Sequence, residues 1–343
     1  MSERVVLAYS GGLRSSVAIG RLAEETGAQV VAVAVDFGQR GVDPEVVRRR
    51  ALACGAVDAV VVDARDEFAT DHCLVALRAN ALGQAGEALA RPVVVKHLVR
   101  AVERHGATAV ACPAGFEAGF GALASDLPIH GFGWTREQAV RWAEEHALPV
   151  DVTGNSSYSL DRTAWGRAVE TAFGLGQPDP YDPDEVVVTF DRGVPVALDG
   201  ETVTALQLVD ELNRRAGEHG VGRLVGFDAP AAVTLITAHR ALEDVTLDRD
   251  TARFKRTADR RWADLVHDGL WSSPLKDALD AFIETTQEHV SGEVRMLLHD
   301  GRAVVVGCRV DDPPHDFTLT PRTEGDTVFW LRGLPSKIAA KRI

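Results

Sequence analysis

Four apolar runs divide the first third of the chain, and helical spacing fills the gaps between them. Val5-Val6-Leu7, Val30 to Val35, Ala59 to Val62 and Ala109 to Cys112 carry no charged side chain. A run without apolar–polar alternation reads as a strand buried on both faces, as in a parallel sheet covered by helices. Helices are predicted at about Ser15–Thr26, Pro44–Cys54, Glu67–Leu82 and Arg91–His105. Another follows at Thr135–His146, with Thr135 as N-cap and Glu137 in the first turn. Strands alternating with helices give a parallel α/β sheet, whose ligands sit outside the carboxyl ends of the strands where strand order reverses. Ser10, Asp36 and Pro113, at the ends of the first, second and fourth strands, are therefore expected at one crevice.

The pattern changes near Val150–Ser157. Gly, Pro and Asp cluster from Gly174 to Pro183, which reads as a long connection. Beyond it lie two hairpin patterns, Val186–Phe190 with Val194–Leu198 and Glu293–Leu298 with Ala303–Arg309. Helical spacing covers Thr204–His219, about Asp250–His267 and Pro274–His289, and Thr327–Leu331 reads as a last strand. This mixture indicates an α+β second domain. The expected boundaries are 1–155, 156–331 and a basic tail, 332–343, with Lys337, Lys341 and Arg342.

The first strand runs into Tyr9-Ser10-Gly11-Gly12, and Ser15 and Ser16 open the next helix. Free backbone N–H groups at a helix start, reached without a Cβ in the way, suit phosphate or pyrophosphate. No Gly-Lys dipeptide occurs, so this is not a Walker A loop. An ordinary strand-to-helix turn stays open as the plainer reading. Gly119-Phe-Gly121 and Gly131-Phe-Gly133 do not join a strand to a helix with a suitably spaced acid, which excludes a Rossmann dinucleotide fingerprint.

A formal charge of −13 in 343 residues argues against nucleic-acid and anionic-membrane partners. No apolar run has membrane-spanning length, and Met1–Arg4 leads straight into a strand, so a cytoplasmic location is expected. Cys54, Cys73, Cys112 and Cys308 show neither zinc nor disulfide spacing. Asn155-Ser156-Ser157 is a glycosylation sequon with no supporting context.

Several stretches, joined in order, resemble argininosuccinate synthase over nearly the whole chain. They are Ala8-Tyr-Ser-Gly-Gly-Leu13, Asp36-Phe-Gly-Gln39, Leu89-Ala-Arg-Pro92 with Lys96-His97, Tyr158-Ser-Leu-Asp161 with Trp165-Gly-Arg167, Gly193-Val-Pro195 and His219-Gly-Val-Gly-Arg223. The resemblance implies an N-type ATP-pyrophosphatase (adenine nucleotide alpha hydrolase-like) domain followed by a synthetase/multimerisation domain. It also implies a homo-oligomer (tetramer or dimer), small-molecule substrates, and ATP as the activating cofactor. In the family a citrullyl-adenylate forms, aspartate joins it, and AMP and pyrophosphate leave. On this resemblance Ala8, Tyr9, Ser10, Gly11, Gly12, Leu13, Arg14, Ser15 and Ser16 would cradle the phosphates, and Val35 would line the adenine or ribose. Ala111 to Gly115, including Cys112, would close the site, and Asp36, Gln39 and Arg91 would lie near it.

The departures fall on the substrates. Arg14 replaces a family Asp that can help hold Mg²⁺; an arginine cannot ligate a metal but can pair with phosphate, so Mg²⁺ dependence is expected to weaken. The aspartate-binding loop aligns with Ala114–Phe120, without its Thr, Asn, Asp and Arg. The citrulline-binding positions align with Gly83, Glu87 and Ala88, while Ser159 survives and its companion is Ala168. A zwitterion needs fixed polar partners, so citrulline and aspartate are not the expected substrates. Candidate substrate contacts are Glu87, Glu117, Ser159 and Asp161, the two glutamates as general bases or amine ligands. Phe116, Phe120, Phe132 and Trp134 suggest a less polar acceptor site, with core packing as the alternative. The leading expectation is an ATP-dependent carbon–nitrogen ligase with altered substrates, suited to specialised metabolism. A nucleotide-binding regulator without catalysis, and sulfur transfer through Cys112, are the alternatives. No residue is assigned a catalytic role.

Overall fold

The computed structural model describes residues 3–39, 43–82, 88–150, 162–168, 182–224, 227–310 and 328–329. Glu87, Ser159, Asp161, the sequon, most of the Gly174–Pro183 connection and the basic tail lie outside the described residues. The chain divides into two compact units, each built from three stretches. The first is 1–68, 87–164 and 265–273; the second is 69–86, 165–264 and 274–343.

The first unit is the parallel α/β layer. Its strands are β1 (Arg4–Ala8), β2 (Gln29–Asp36), β3 (Asp58–Asp63), β4 (Ala109–Cys112) and β5 (Ile129–Gly131). They lie in the order β3-β2-β1-β4-β5, and every pairing is parallel. Val5 and Leu7 bury with Val30, Ala32 and Ala34 in one core that also takes Ile19, Leu22 and Val47 from the flanking helices. Those helices are α1 (Leu13–Thr26), α2 (Pro44–Ala53) and, later in the chain, α5 (Ala90–His105), α6 (Glu117–Leu123) and α7 (Arg136–Glu145). Thr135 and Gln138 form the capping box of α7. A Cβ on Gly20 of α1 would stand 2.2 Å from the Trp142 ring of α7, so glycine there permits the two helices to touch.

Two differences from the sequence reading stand out. The helix α1 begins at Leu13, two residues early, because Gly12 in extended backbone serves as its N-cap. The stretch predicted as one helix from Glu67 to about Leu82 is three helical turns: α3 (Arg65–Glu67), a π-helical turn at Phe68–Cys73, and α4 (Leu74–Arg78). It stops early at Arg78, two residues before Asn80, which has φ +48°. The elements α6 and β5 were not expected. Glycines at 119 and 121 lower helix propensity, yet Phe116 and Phe120, one turn apart, are both buried and override it.

Beyond β5 come two short strands, β6 (Arg162–Thr163) and β7 (Gly166–Ala168), then β8 (Asp184–Asp191), β9 (Val194–Leu198) and β10 (Glu201–Thr202), the short β11 (Arg223–Leu224) and β12 (Phe227–Asp228), and β13 (Gly292–His299), β14 (Arg302–Arg309) and β15 (Val328–Phe329). The second unit carries an antiparallel sheet in the order β10-β9-β8-β13-β14-β15. Both expected hairpins form. Their turns, Arg192-Gly193 and Asp300-Gly301, have positive φ at both centres, which matches the twist of paired strands. The helices are α8 (Ala205–Glu218), α9 (Pro230–Thr246), α10 (Arg249–His267) and α11 (Pro274–Thr286), although the last three residues of α10 belong to the first unit. The helix α9 was not expected: most of its residues are buried and it packs on β13 and β14, so small and apolar residues dominate its sequence and only Arg240 and Asp244 are exposed.

Candidate nucleotide-binding site

The strand β1 ends at Ala8, with β2 on one side and β4 on the other. Strand order therefore reverses between β1 and β4, and the loop Tyr9–Gly12 leaves the sheet at that point. This is where an open parallel sheet leaves a crevice. The β1–β2 ladder ends at Ala8 opposite Val33, with Tyr9 N–H donating to the Val33 carbonyl (2.8 Å). Val35 and Asp36 run on past the end of β1 beside the loop.

Hydroxyl groups fix the loop from within. The Ser15 hydroxyl donates to the Gly12 carbonyl (3.1 Å), accepts from Ser10 N–H (3.2 Å), and lies 3.1 Å from the Ser10 hydroxyl. The Tyr9 phenol and the Ser16 hydroxyl, both buried, are 3.1 Å apart. Burial pushes the Tyr9 phenol up to about 12 against the opposing bond from Ser16, so it stays neutral. From outside, Arg50 of α2 donates to the Gly11 carbonyl (2.6 Å). Gly11 has φ +71°, a conformation that costs a side-chain-bearing residue.

This arrangement leaves backbone N–H groups at the helix start outside the helical ladder. Ser16 N–H makes the first helical bond of α1, to Gly12 (3.0 Å), so the N–H groups of Leu13, Arg14 and Ser15 precede the ladder. No side-chain cap satisfies that end of the helix. Arg14 is exposed on the same turn. Glu137 of α7 sits below the ordinary carboxylate range, held first by its own backbone N–H and the Thr135 hydroxyl, with the charge of Arg14 as a smaller contribution. The loop thus presents N–H dipoles and one guanidinium, a set that fits phosphate oxygens.

At the end of β2, the Asp36 carboxylate accepts the Gly38 N–H (2.8 Å) and lies 3.9 Å from Arg65. Gln39 accepts the Phe37 N–H (2.7 Å), and its own Nε2, in a side chain 8% exposed, meets no acceptor among the described residues. A buried donor without a partner at the strand ends also fits a ligand rich in acceptors. Metal fits less well. No group of three His, Cys, Asp or Glu side chains suited to a metal ion occurs among the described residues, and Asp36 is committed to its own turn.

At the end of β4, Gly115 N–H donates to Glu117 (2.8 Å), and the Arg91 guanidinium lies 3.6 Å from where a Cβ on Gly115 would be. Arg91 also donates to the His267 carbonyl (3.3 Å). Arg91, Gly115 and Glu117 therefore meet. Cys112 is 1% exposed; burial, helped by the charge of Glu117, pushes its thiol up to about 12 and leaves it protonated. That is the inert kind of cysteine. Phe116 and Phe120 are buried in packing, Phe132 stacks on Trp134 with ring centroids 5.6 Å apart, and Arg21 covers the Trp134 ring. All four aromatic residues serve the framework.

Sequence reasoning missed the Arg50 clamp and the anchor of Lys96-His97. Lys96 and His97 bind Glu67 at 2.8 and 3.0 Å and, against burial, hold its carboxyl below the ordinary range. Arg50 follows Arg48 and Arg49, and nothing in that run distinguishes it.

A parallel sheet that carries a glycine loop at its strand-order reversal defines a doubly wound α/β protein, joined here to an antiparallel α+β unit. Residues 4–149 match the family model described as arginosuccinate synthase N-terminal HUP domain, and residues 158–328 match the arginosuccinate synthase C-terminal domain. The chain belongs to the argininosuccinate synthase family. It is also similar to a solved NMN synthetase from Francisella tularensis at 16% identity and a TM-score of 0.31. That match covers 43% of this chain and 63% of the other, so the chain spans less than two-thirds of that neighbour's length. Among the described residues, no helix is long and apolar enough to cross a membrane.

Proposed function

We propose that this chain is an ATP-dependent, AMP-forming carbon–nitrogen ligase whose substrates are not citrulline and aspartate. The reading rests on one observation above all. The helix α1 opens on uncapped N–H groups at the strand-order reversal of a domain that matches this family. ATP would lie with its phosphates on Ser10–Ser15 and its base towards Val35. Arg14 would pair with phosphate oxygens where relatives use a carboxylate, which reduces the chain's own share in holding Mg²⁺.

In the first step, an oxygen of a ureido or carboxylate group attacks the α-phosphorus as the bond to pyrophosphate breaks. In the second, a nitrogen lone pair attacks the activated carbon, AMP leaves, and the nitrogen gives up a proton. The chain contributes positioning and phosphate stabilisation. Family positions that hold the amino-acid substrate are here the short helix α6, whose phenylalanines face the core. The polar groups near Gly115 at the end of β4 include Arg91 and Glu117, and Glu117 would receive an amine or its proton. Glu87, Ser159 and Asp161 complete the proposed substrate contacts. A homo-oligomer is proposed on family grounds alone, and light scattering on the purified protein tests it.

Incubation with ATP, Mg²⁺ and a panel of ureido or carboxylate acceptors with amines should yield AMP and pyrophosphate for a productive pair. Citrulline with aspartate should yield neither. Failure to bind ATP, or release of ADP and phosphate, would overturn the proposal. Arg14 in place of a carboxylate also favours a second reading, a nucleotide-binding regulator; ATP binding without turnover on any acceptor pair would decide for it.

A further inference from the structure

The helix α10 concentrates positive charge against the trend of the chain. Its 19 residues hold six Lys or Arg and three Asp, whereas the whole chain has 37 Lys and Arg to 50 Asp and Glu. Ala252, Lys255, Arg256, Asp259, Arg260 and Ala263 follow helical spacing, so they form one stripe. That stripe lines a cavity of about 570 Å³, with Arg240, Glu243 and Asp244 of α9 on the other wall and Asn80–Leu82 at one end. A volume of this size suits a small ligand.

The charges around the cavity do not cancel. Lys255 spends its three N–H groups on the Arg78 carbonyl (2.7 Å), Asp259 (2.8 Å) and Glu243 (3.0 Å). Arg256 pairs with Asp244 at 3.1 Å. Lys255 serves two acids and Arg256 one, so with Arg240 and Arg260 the lining carries four cations to three acids. Arg240 gives one N–H to the Asn80 carbonyl (3.1 Å), and Arg260 pairs with no carboxylate among the described residues. Arg256 and Arg260 stand one turn apart on the same stripe, an unfavourable spacing for like charges. Two exposed guanidinium forks over a saturated polar floor form a receptor for oxyanions, since each fork can bind carboxylate or phosphate through two N–H groups.

We propose that the groove between α9 and α10 is a second ligand site, which binds a small molecule bearing two or more adjacent oxyanion groups through Arg240 and Arg260. The proposal does not depend on the ligase reading, because every residue it uses lies in the second unit.

Isothermal titration of the full chain with citrate, and separately with pyrophosphate, tests it, with acetate at matched ionic strength as control. At least one of the two should bind tenfold or more tighter than acetate. Arg240→Ala/Arg260→Ala should weaken that binding tenfold or more with an unchanged urea midpoint. Pyrophosphate can also seat at the Ser10–Ser15 loop, so the loss on substitution, not binding itself, is the readout. If the double variant does not fold, Arg260→Ala alone decides, with a loss of threefold or more expected. Preference for citrate or for pyrophosphate tells a polycarboxylate from a phosphorylated ligand. Neither anion binding above acetate, or substituted proteins retaining affinity within threefold, would overturn the proposal.

Discussion

Two polar regions of this protein follow opposite rules. At Tyr9–Ser16 the side chains satisfy one another over at most seven residues and leave the first N–H groups of α1 without a side-chain cap. In the second unit, Asn80, His239, Glu243, Lys255, Asp259 and Gln287 satisfy one another across as many as 179 residues. Asn80 alone binds Glu243 (2.8 Å), Asp259 (3.0 Å) and His239 (3.0 Å). The first arrangement leaves donors unspent at a helix start; the second holds elements together. Polarity therefore marks function here only where its hydrogen bonds are unspent.

The strongest way to break this contrast is Lys255→Met. Removing the one cation that Glu243 and Asp259 share should cost about 3–5 kcal/mol of stability, because two buried carboxylates lose their partner. Urea denaturation followed by tryptophan fluorescence reads that loss, and ATP affinity measured well below the transition should stay within threefold. An unaltered urea midpoint would show that the network is not structural.

A pH test comes next in size. Burial pushes the Asp259 carboxyl up to about 6, against Lys255 and Asn80, which favour its charged form, while neighbouring Glu243 opposes it. A carboxyl whose folded pKa exceeds its unfolded value binds its proton more tightly in the folded state. Its contribution is therefore greatest below about pH 4 and is lost as pH rises through about 6. Relative to Asp259→Asn, the wild-type chain should lose about 2 kcal/mol of stability between pH 4 and pH 7, measured by urea titration at each pH. A difference between the two proteins that does not vary with pH would sink this prediction.

Gly11→Ala examines the other side of the comparison. A Cβ there meets φ +71° and Val47 at 3.4 Å, a strain of about 1–2 kcal/mol. ATP binding should fall about tenfold as the loop shifts. Last and smallest, Arg14→Ala should leave stability within about 0.5 kcal/mol, since the side chain is exposed, yet weaken ATP binding several-fold. Fluorescence titration with an ATP analogue measures both effects. Unchanged affinity in Arg14→Ala would return that arginine to solvent.

The parts legible in the sequence were those with local causes. Val30–Val35 announced a doubly buried strand, Thr135 announced a helix start, and Ser10-Gly11-Gly12 announced the turn that closes on it. Where causes were distant, reading failed. The helix α9 has only a narrow polar edge at Arg240 and Asp244 because other elements bury the rest, and α6 forms because Phe116 and Phe120 find a core that propensity does not reveal. The Arg50 clamp spans 39 residues and the Asn80 network 163 and 179, distances at which spacing carries no signal. Cys112 was legible as a strand end, but its protonated state follows from burial and from Glu117.

Asn80 has a consequence for how the chain is made. The segment that carries it emerges from the ribosome 179 residues ahead of its partner Asp259. At translation speeds of about 5–20 residues per second, that is a wait of roughly 10–35 s. Through that interval a short stretch, flanked along the chain by segments of the parallel-sheet unit, lacks its partner, so a guardian such as a holdase has its natural point of entry there. The same arrangement means that a fragment cut at the obvious midpoint would lack a strut it needs.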